Sequence, residues 1–157
     1  MNSVDYRLNY IEEHKDLAVI EMHRKGIPAS IKLAQAILES DSGTSQFSLE
    51  SHNHFGIKCK KYWRGEKVMH IDDDTDANGD LTESCFRAYE DVFHSYVDHS
   101  NFVAHSDNYR PLFDLDPQDY KAWARGLQEQ GYATDPKYAE KLIAIIEKHQ
   151  LYEYDRL

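Results

Sequence analysis

Glu39 follows the apolar run Leu33-Ala34-Gln35-Ala36-Ile37-Leu38 and precedes Ser40-Asp41-Ser42-Gly43. On a helix this spacing sets the carboxyl at the C-terminal end, where the negative pole of the helix dipole and partly apolar surroundings both disfavour its charged form. A carboxylic acid that keeps its proton near neutrality can hand it to a glycosidic oxygen. The same spacing also describes a solvated glutamate at a helix end, a common occurrence. A second group of carboxylates, Asp72-Asp73-Asp74-Thr75-Asp76, reads either as a solvated loop or as a source of oxygen ligands, although the full set of spaced ligands of a calcium loop is absent. His52 and His54 supply half of a metal site and no convincing further ligands, so no metal and no cofactor are expected. Cys59 and Cys85 cannot form a thiol-rich zinc site by themselves; they are either one disulfide or two buried thiols.

Eleven Tyr, six Phe and two Trp suit carbohydrate, because a ring covers the apolar face of a sugar while a phenol bonds its edge; most such rings nevertheless belong to cores. A net charge of −10 argues against nucleic acid or an anionic membrane surface as partner, since both are bound through Lys and Arg. No apolar stretch reaches the length of a membrane span, and the start Met1-Asn2-Ser3-Val4-Asp5-Tyr6 lacks the basic and apolar regions of a signal peptide.

The elements that must position these groups are mainly helical. Leu8, Ile11, Leu17, Ile20 and Met22 form an imperfect stripe over about Val4 to Arg24, stopped by Lys25-Gly26. Pro28 opens a second helix, Ala29 to Ser40, and Gly43 ends the run. From Ser42 to Glu90 helical spacing fails. Glu66 to Ile71 and Leu81 to Ala88 flank the turn signal Asn78-Gly79 and predict a β-hairpin. Helical stripes then resume at Val92, Tyr96, His99 and Val103, at Tyr120, Trp123, Ala124 and Leu127, and at Tyr138, Leu142, Ile145 and Ile146. With no repeat and no linker, the 157 residues read as one α+β, mainly α domain carrying a small hairpin lobe.

Four motifs occur in one order: Ala36-Ile37-Leu38-Glu39-Ser40-Asp41-Ser42-Gly43, Asn53-His54-Phe55-Gly56-Ile57-Lys58, Phe86-Arg87-Ala88-Tyr89, and Gly131-Tyr132-Ala133-Thr134-Asp135-Pro136-Lys137-Tyr138-Ala139. From about Tyr10 to Gln150 the chain resembles the glucosaminidase domain of glycoside hydrolase family 73, which includes bacterial autolysins and the flagellar peptidoglycan hydrolase. The resemblance implies a lysozyme-like fold and cleavage of the β-1,4 bond between N-acetylglucosamine and N-acetylmuramic acid in peptidoglycan. It also implies a site outside the cytoplasm, periplasmic or at the cell wall, where disulfides persist, and this favours a Cys59–Cys85 bond. A monomer acting on glycan strands is expected.

By position, Glu39 matches the family's catalytic acid and Tyr132 the tyrosine thought to line the cleft; Tyr132 also suits a core ring beside the helix starting at Pro136. A phenol can hold a water or an N-acetyl group while its ring packs on the sugar. Many relatives place a glutamate in the hairpin, whereas this chain has aspartates; counting back from Phe86 points to Asp73, with Asp72 and Asp74 as alternatives. Asn53 is a candidate N-acetyl ligand, and Gly56 is expected to let backbone approach the sugar. Phe55, Tyr138, Tyr89, Tyr62 and Trp63 are further candidate substrate contacts; packing under the helix is the stronger reading for Phe55, and Tyr89 with Arg87 also suits a tie between hairpin and helix. Asp135 reads as a helix cap rather than a catalyst. The competing functions are a lytic transglycosylase of the same fold and a non-catalytic wall-binding module.

Overall fold

The computed structural model describes residues 2–157 apart from the side chains of Ser3 and of residues 72–74. Helix α1, Ser3–Lys25, starts where the Asn2 side chain accepts from the Asp5 N–H and stops at Gly26, whose N–H returns to the Met22 carbonyl. Helix α2 is Ala29–Ser40, the span predicted from Pro28 and the apolar run. Every residue from Ala29 to Ile37 is buried, including Lys32 and Gln35. A helix buried on all sides belongs at the centre of a domain, and α1, the helices Tyr120–Glu129 and Tyr138–Lys148, and the C-terminal segment pack around it. Full burial of Ile31, Leu33 and Ile37 stabilises the fold by about 1.5–3 kcal/mol for each side chain.

Pro28 offers no side-chain cap to α2. The cap comes from the far end of the chain: Asp155 accepts from the Ser30 N–H at 2.8 Å and from the Ser30 hydroxyl at 2.5 Å. A carboxylate at a helix N-terminus satisfies orphan donors and faces the positive pole of the dipole.

The region without helical spacing holds a short helix, α3, Gln46–Ser51, capped by Ser45. It buries only Ser48 and Ser51 and leaves Leu49 exposed, so no apolar stripe announced it. Strands β1, Lys67–Thr75, and β2, Leu81–Arg87, form the antiparallel hairpin. Strand β1 runs four residues past its expected end at Ile71, through the acidic run, with a register shift between Ile71 and Thr75. Asp76 organises the turn by accepting from the Asn78 and Asp80 N–H groups. A disulfide joins Cys59 to Cys85 and fastens the segment before the hairpin to β2.

Helices α4, Val92–His105, α5, Tyr120–Glu129, and α6, Tyr138–Lys148, follow the three predicted stripes. Asp91 and Asp119 cap the first two through the N–H groups of His94 and Ala122. Two 3-10 segments, Asp107–Asp114 and Leu151–Arg156, lie outside the predicted stripes; the first buries Tyr109 and Leu112 and the second Leu151 and Asp155. The core between the helices is rich in rings: Trp123, Tyr96, Tyr138 and Phe55 are each at most 1 % exposed. Among the described residues no helix is long and apolar enough to cross a membrane.

Candidate active site

Glu39 is the penultimate residue of α2 and half-buried. The helix stops abruptly beyond it. Asp41 and Ser42 both take left-handed backbone conformations, and both N–H groups return to the Ile37 carbonyl. Ser40 is buried; its hydroxyl donates to the Ala36 carbonyl at 2.6 Å and accepts from the Gly43 N–H at 2.8 Å. Two successive non-glycine residues at positive φ are costly, about 1–2 kcal/mol each, so the surrounding structure must enforce this turn. Rings from α1 and from the loop after residue 51 crowd the end of this turn: a Cβ at Gly43 would lie 3.2 Å from the His54 ring and 3.4 Å from the Tyr10 ring. The Tyr10 hydroxyl lies 2.7 Å from both His54 Nδ1 and the Tyr96 hydroxyl, and His14 stacks on Tyr10 with centroids 4.1 Å apart.

Glu39 borders a cavity of about 500 Å³, a size suited to a small ligand. Its walls include Phe55, Gly56, Tyr132 and Tyr138, with Phe47, His70 and Phe86 on the hairpin side. Tyr132 and Tyr138 stack at 5.8 Å with 16° between their planes. The Tyr132 hydroxyl donates to the Phe55 carbonyl at 3.2 Å, joining the loop before α6 to the loop before β1. Burial holds both phenols well above their ordinary pKa; the other ring and then Glu39 add to this for Tyr132, and Glu39 adds to it for Tyr138. Both remain protonated, and the Tyr138 hydroxyl accepts from Gln35 Nε2 at 3.0 Å. The close backbone approach that Gly56 permits is to the acid itself: at φ +65°, a Cβ there would lie 3.1 Å from Glu39 Oε2.

Residues 15–151 match the model of the glucosaminidase family, described as mannosyl-glycoprotein endo-beta-N-acetylglucosaminidase. The chain belongs to the glucosaminidase family. The exo-glucosaminidase LytG of Bacillus subtilis is 35% identical over 160 residues, covering 98% of this chain and 55% of the relative. The peptidoglycan hydrolase FlgJ of Pseudomonas aeruginosa is 33% identical over 135 residues, covering 83% and 34%. The chain thus spans about half of the first relative and a third of the second. Among solved structures, the catalytic domain of the Listeria monocytogenes autolysin Auto is similar with a TM-score of 0.80 at 25% identity, covering 95% of this chain and 87% of that one. A peptidoglycan hydrolase of Sphingomonas sp. A1 gives 0.76 at 31% identity, covering 93% and 91%. The lysozyme-like architecture expected from the motifs is the one observed.

Several predicted contacts lie elsewhere in this glucosaminidase domain. Asn53 is fully buried with its amide committed to backbone: Nδ2 donates to the Ile57 and Arg87 carbonyls, and Oδ1 accepts from the N–H groups of Phe55 and Ile57. It shapes the loop that delivers Phe55 and Gly56. Phe55 borders the cavity but is 1 % exposed and stacks on His99 at 3.9 Å, so its packing role dominates. Trp63 and Tyr89 are not among the cavity's lining residues. The Arg87 guanidinium lies 4.8 Å from the Trp63 ring and pairs with Asp98, which also accepts from the Tyr89 hydroxyl at 2.5 Å. This cluster ties the hairpin to α4. Tyr62 is 86 % exposed, outside the cavity. Asp135 accepts from the Lys137 N–H at 2.9 Å and pairs with Lys141, organising the entry to α6. The Asp73 carboxylate, with those of Asp72 and Asp74, lies outside the described residues. Sequence reasoning missed Lys58, Lys60 and His70 in the cavity wall; they sit in the segment without periodicity, where only the fold decides which way a side chain faces.

Proposed function

We propose that this domain hydrolyses peptidoglycan outside the cytoplasm, cutting the β-1,4 bond between N-acetylglucosamine and N-acetylmuramic acid within glycan strands, as a monomer and without a cofactor. The observation that carries this reading is Glu39: a carboxyl brought by a buried helix to the wall of a ring-lined cavity, in a chain of the glucosaminidase family. Glu39 donates its proton to the oxygen of the leaving muramoyl unit as the C1–O bond breaks. Positive charge spreads over C1 and the ring oxygen, and water adds to C1 as it gives a proton to a carboxylate, Glu39 if the stereochemistry is retained and the second carboxylate if it is inverted. The substrate's own N-acetyl group is the third way to assist the step. Tyr138 offers a hydroxyl beside the carboxylate that forms, while Tyr132 holds the Phe55 carbonyl and gives the sugar an aromatic wall. Asp73 is the second carboxylate, which guides the water or offsets the positive charge, with Asp72 and Asp74 as the alternatives beside it on β1.

The test is digestion of purified peptidoglycan by wild type, Glu39→Gln and Asp73→Asn, with product ends identified by mass spectrometry. Reducing N-acetylglucosamine ends, loss of turnover in Glu39→Gln and slowed turnover in folded Asp73→Asn are expected. Anhydro-muramic ends would instead identify a lytic transglycosylase, and glycan binding without cleavage a wall-binding module. Product length separates internal cuts from release at chain ends, the action in LytG's name.

A further inference from the structure

Behind the Tyr138 ring lies a row of buried polar groups that the proposed chemistry does not use. Lys32, on the innermost helix, is fully buried; its Nζ lies 2.9 Å from His99 Nδ1 and 2.5 Å from the Ser100 hydroxyl, with the Phe55 and Tyr96 rings 5.2 and 5.6 Å from it. His99 Nε2 lies 2.9 Å from Gln35 Oε1, and Gln35 Nε2 lies 3.0 Å from the Tyr138 hydroxyl. All four residues are at most 1 % exposed. Polar groups so deep in a core are costly unless each has a partner, and here each has one.

The row has a direction, and the Gln35 amide sets it. Its Oε1 can only accept, so the facing His99 Nε2 donates and Nδ1 accepts from the Lys32 amine. Burial and the neighbouring Lys32 hold His99 well below its ordinary pKa, so the imidazole keeps one proton, which must sit on Nε2. That N–H donates to Gln35 Oε1, and the amide can then present only its N–H₂ to Tyr138. The phenol oxygen accepts from Gln35, and its own proton is left to point away from the amide, toward the cavity it shares with Glu39.

We propose that Lys32, His99 and Gln35 form a polarised hydrogen-bond chain whose task is to aim the Tyr138 hydroxyl into the cleft as a donor for the carboxylate that Glu39 becomes when it gives up its proton. Gln35 is thus a positioning residue. The inference rests on the reading of Glu39 as general acid. A donor fixed in place before the reaction stabilises the charge that develops in it, and therefore acts on kcat.

Reversing the polarity tests this without changing the shape. Gln35→Glu keeps the size of the side chain and, assayed above the pH at which this buried carboxyl ionises, offers only acceptors, so Tyr138 turns its proton inward. Gln35→Met keeps the volume and neither donates nor accepts, leaving the hydroxyl free to point outward. The chain predicts kcat in the order wild type, then Gln35→Met, then Gln35→Glu, the last falling about tenfold to a hundredfold with KM little changed. Tyr138→Phe should match Gln35→Glu, and adding Gln35→Glu to Tyr138→Phe should cost nothing further in kcat. A merely structural glutamine predicts the reverse order, since the isosteric glutamate keeps more of the packing. Gln35→Glu at wild-type kcat, or a full Gln35→Glu loss persisting in Tyr138→Phe, would overturn the proposal. Should Gln35→Glu fail to fold, kcat of Tyr138→Phe decides: a wild-type value overturns the proposal and a comparable loss supports it. Glu39→Gln assayed alongside separates the two readings, because an active Glu39→Gln removes the general acid itself.

Discussion

A Cβ at Gly56 would stand 3.1 Å from Glu39 Oε2, which makes the backbone of residue 56 part of the wall around the acid. Gly56 also sits at φ +65°, where side chains are disfavoured. Gly56→Ala should therefore destabilise the fold by about 1–2 kcal/mol. It should also displace the Glu39 carboxyl by a few tenths of an ångström and lower kcat more than the stability loss explains. Thermal melts beside initial rates on peptidoglycan check this, and unchanged kcat would show that the carboxyl has room to spare.

Tyr132 holds that same loop through the Phe55 carbonyl. Tyr132→Phe keeps the ring stacked on Tyr138 and removes only the tie, so we expect a stability loss of about 1 kcal/mol. Turnover should fall as the Phe55–Gly56 segment loosens against Glu39. Equal activity in the two proteins would limit the phenol to a structural part.

The Cys59–Cys85 disulfide spans 26 residues of sequence. Closing a loop of that length stabilises by about 3–4 kcal/mol in the chain-entropy model. Reductant, or the Cys59→Ser/Cys85→Ser pair, should lower Tm by roughly 10 °C. It should also loosen the hairpin, read as faster hydrogen exchange of β1 and β2 than of α2 and α6. Uniform acceleration across all elements would contradict a local role for the bond.

Two buried groups bias stability with pH in opposite directions. Burial lowers His54 from 6.5 to about 4. The unfolded chain then takes up a proton that the native state refuses, and the contribution of His54, present above pH 6.5, drains away as pH falls toward 4; its full size is on the order of 3 kcal/mol. Asp155 is raised from 3.8 to about 6 by burial, against the hydrogen bonds from Ser30. Its contribution is present below 3.8 and lost as pH rises through 6. Because burial also holds His14 and His99 below their ordinary pKa, wild type should lose stability as pH falls below 6.5, with Asp155 opposing the loss. His54→Gln should be costly at pH 7 and progressively less so at pH 4.5, while Asp155→Asn should show the opposite trend. Denaturant melts at several pH values measure both, and parallel profiles for the two variants would refute the assignment.

Much of this architecture is legible in the residue order, because it is local. An apolar run between Pro28 and Gly43 predicts α2 and puts Glu39 at its end, and three stripes predict α4, α5 and α6. The motif resemblance led to the family for the same reason. What only the folded chain decided are relations between distant residues. Asp155 caps a helix 125 residues away. Asn53, read as a sugar ligand, turns inward to bind backbone, and Gly56 makes room for Glu39. The polar residues of α2 meet their partners on α4 and α6. Periodicity encodes which face of an element is buried, since a side chain's direction along one helix or strand follows from local geometry. It does not encode which buried polar groups meet, because that pairing arises only when separate elements pack and each donor must find an acceptor.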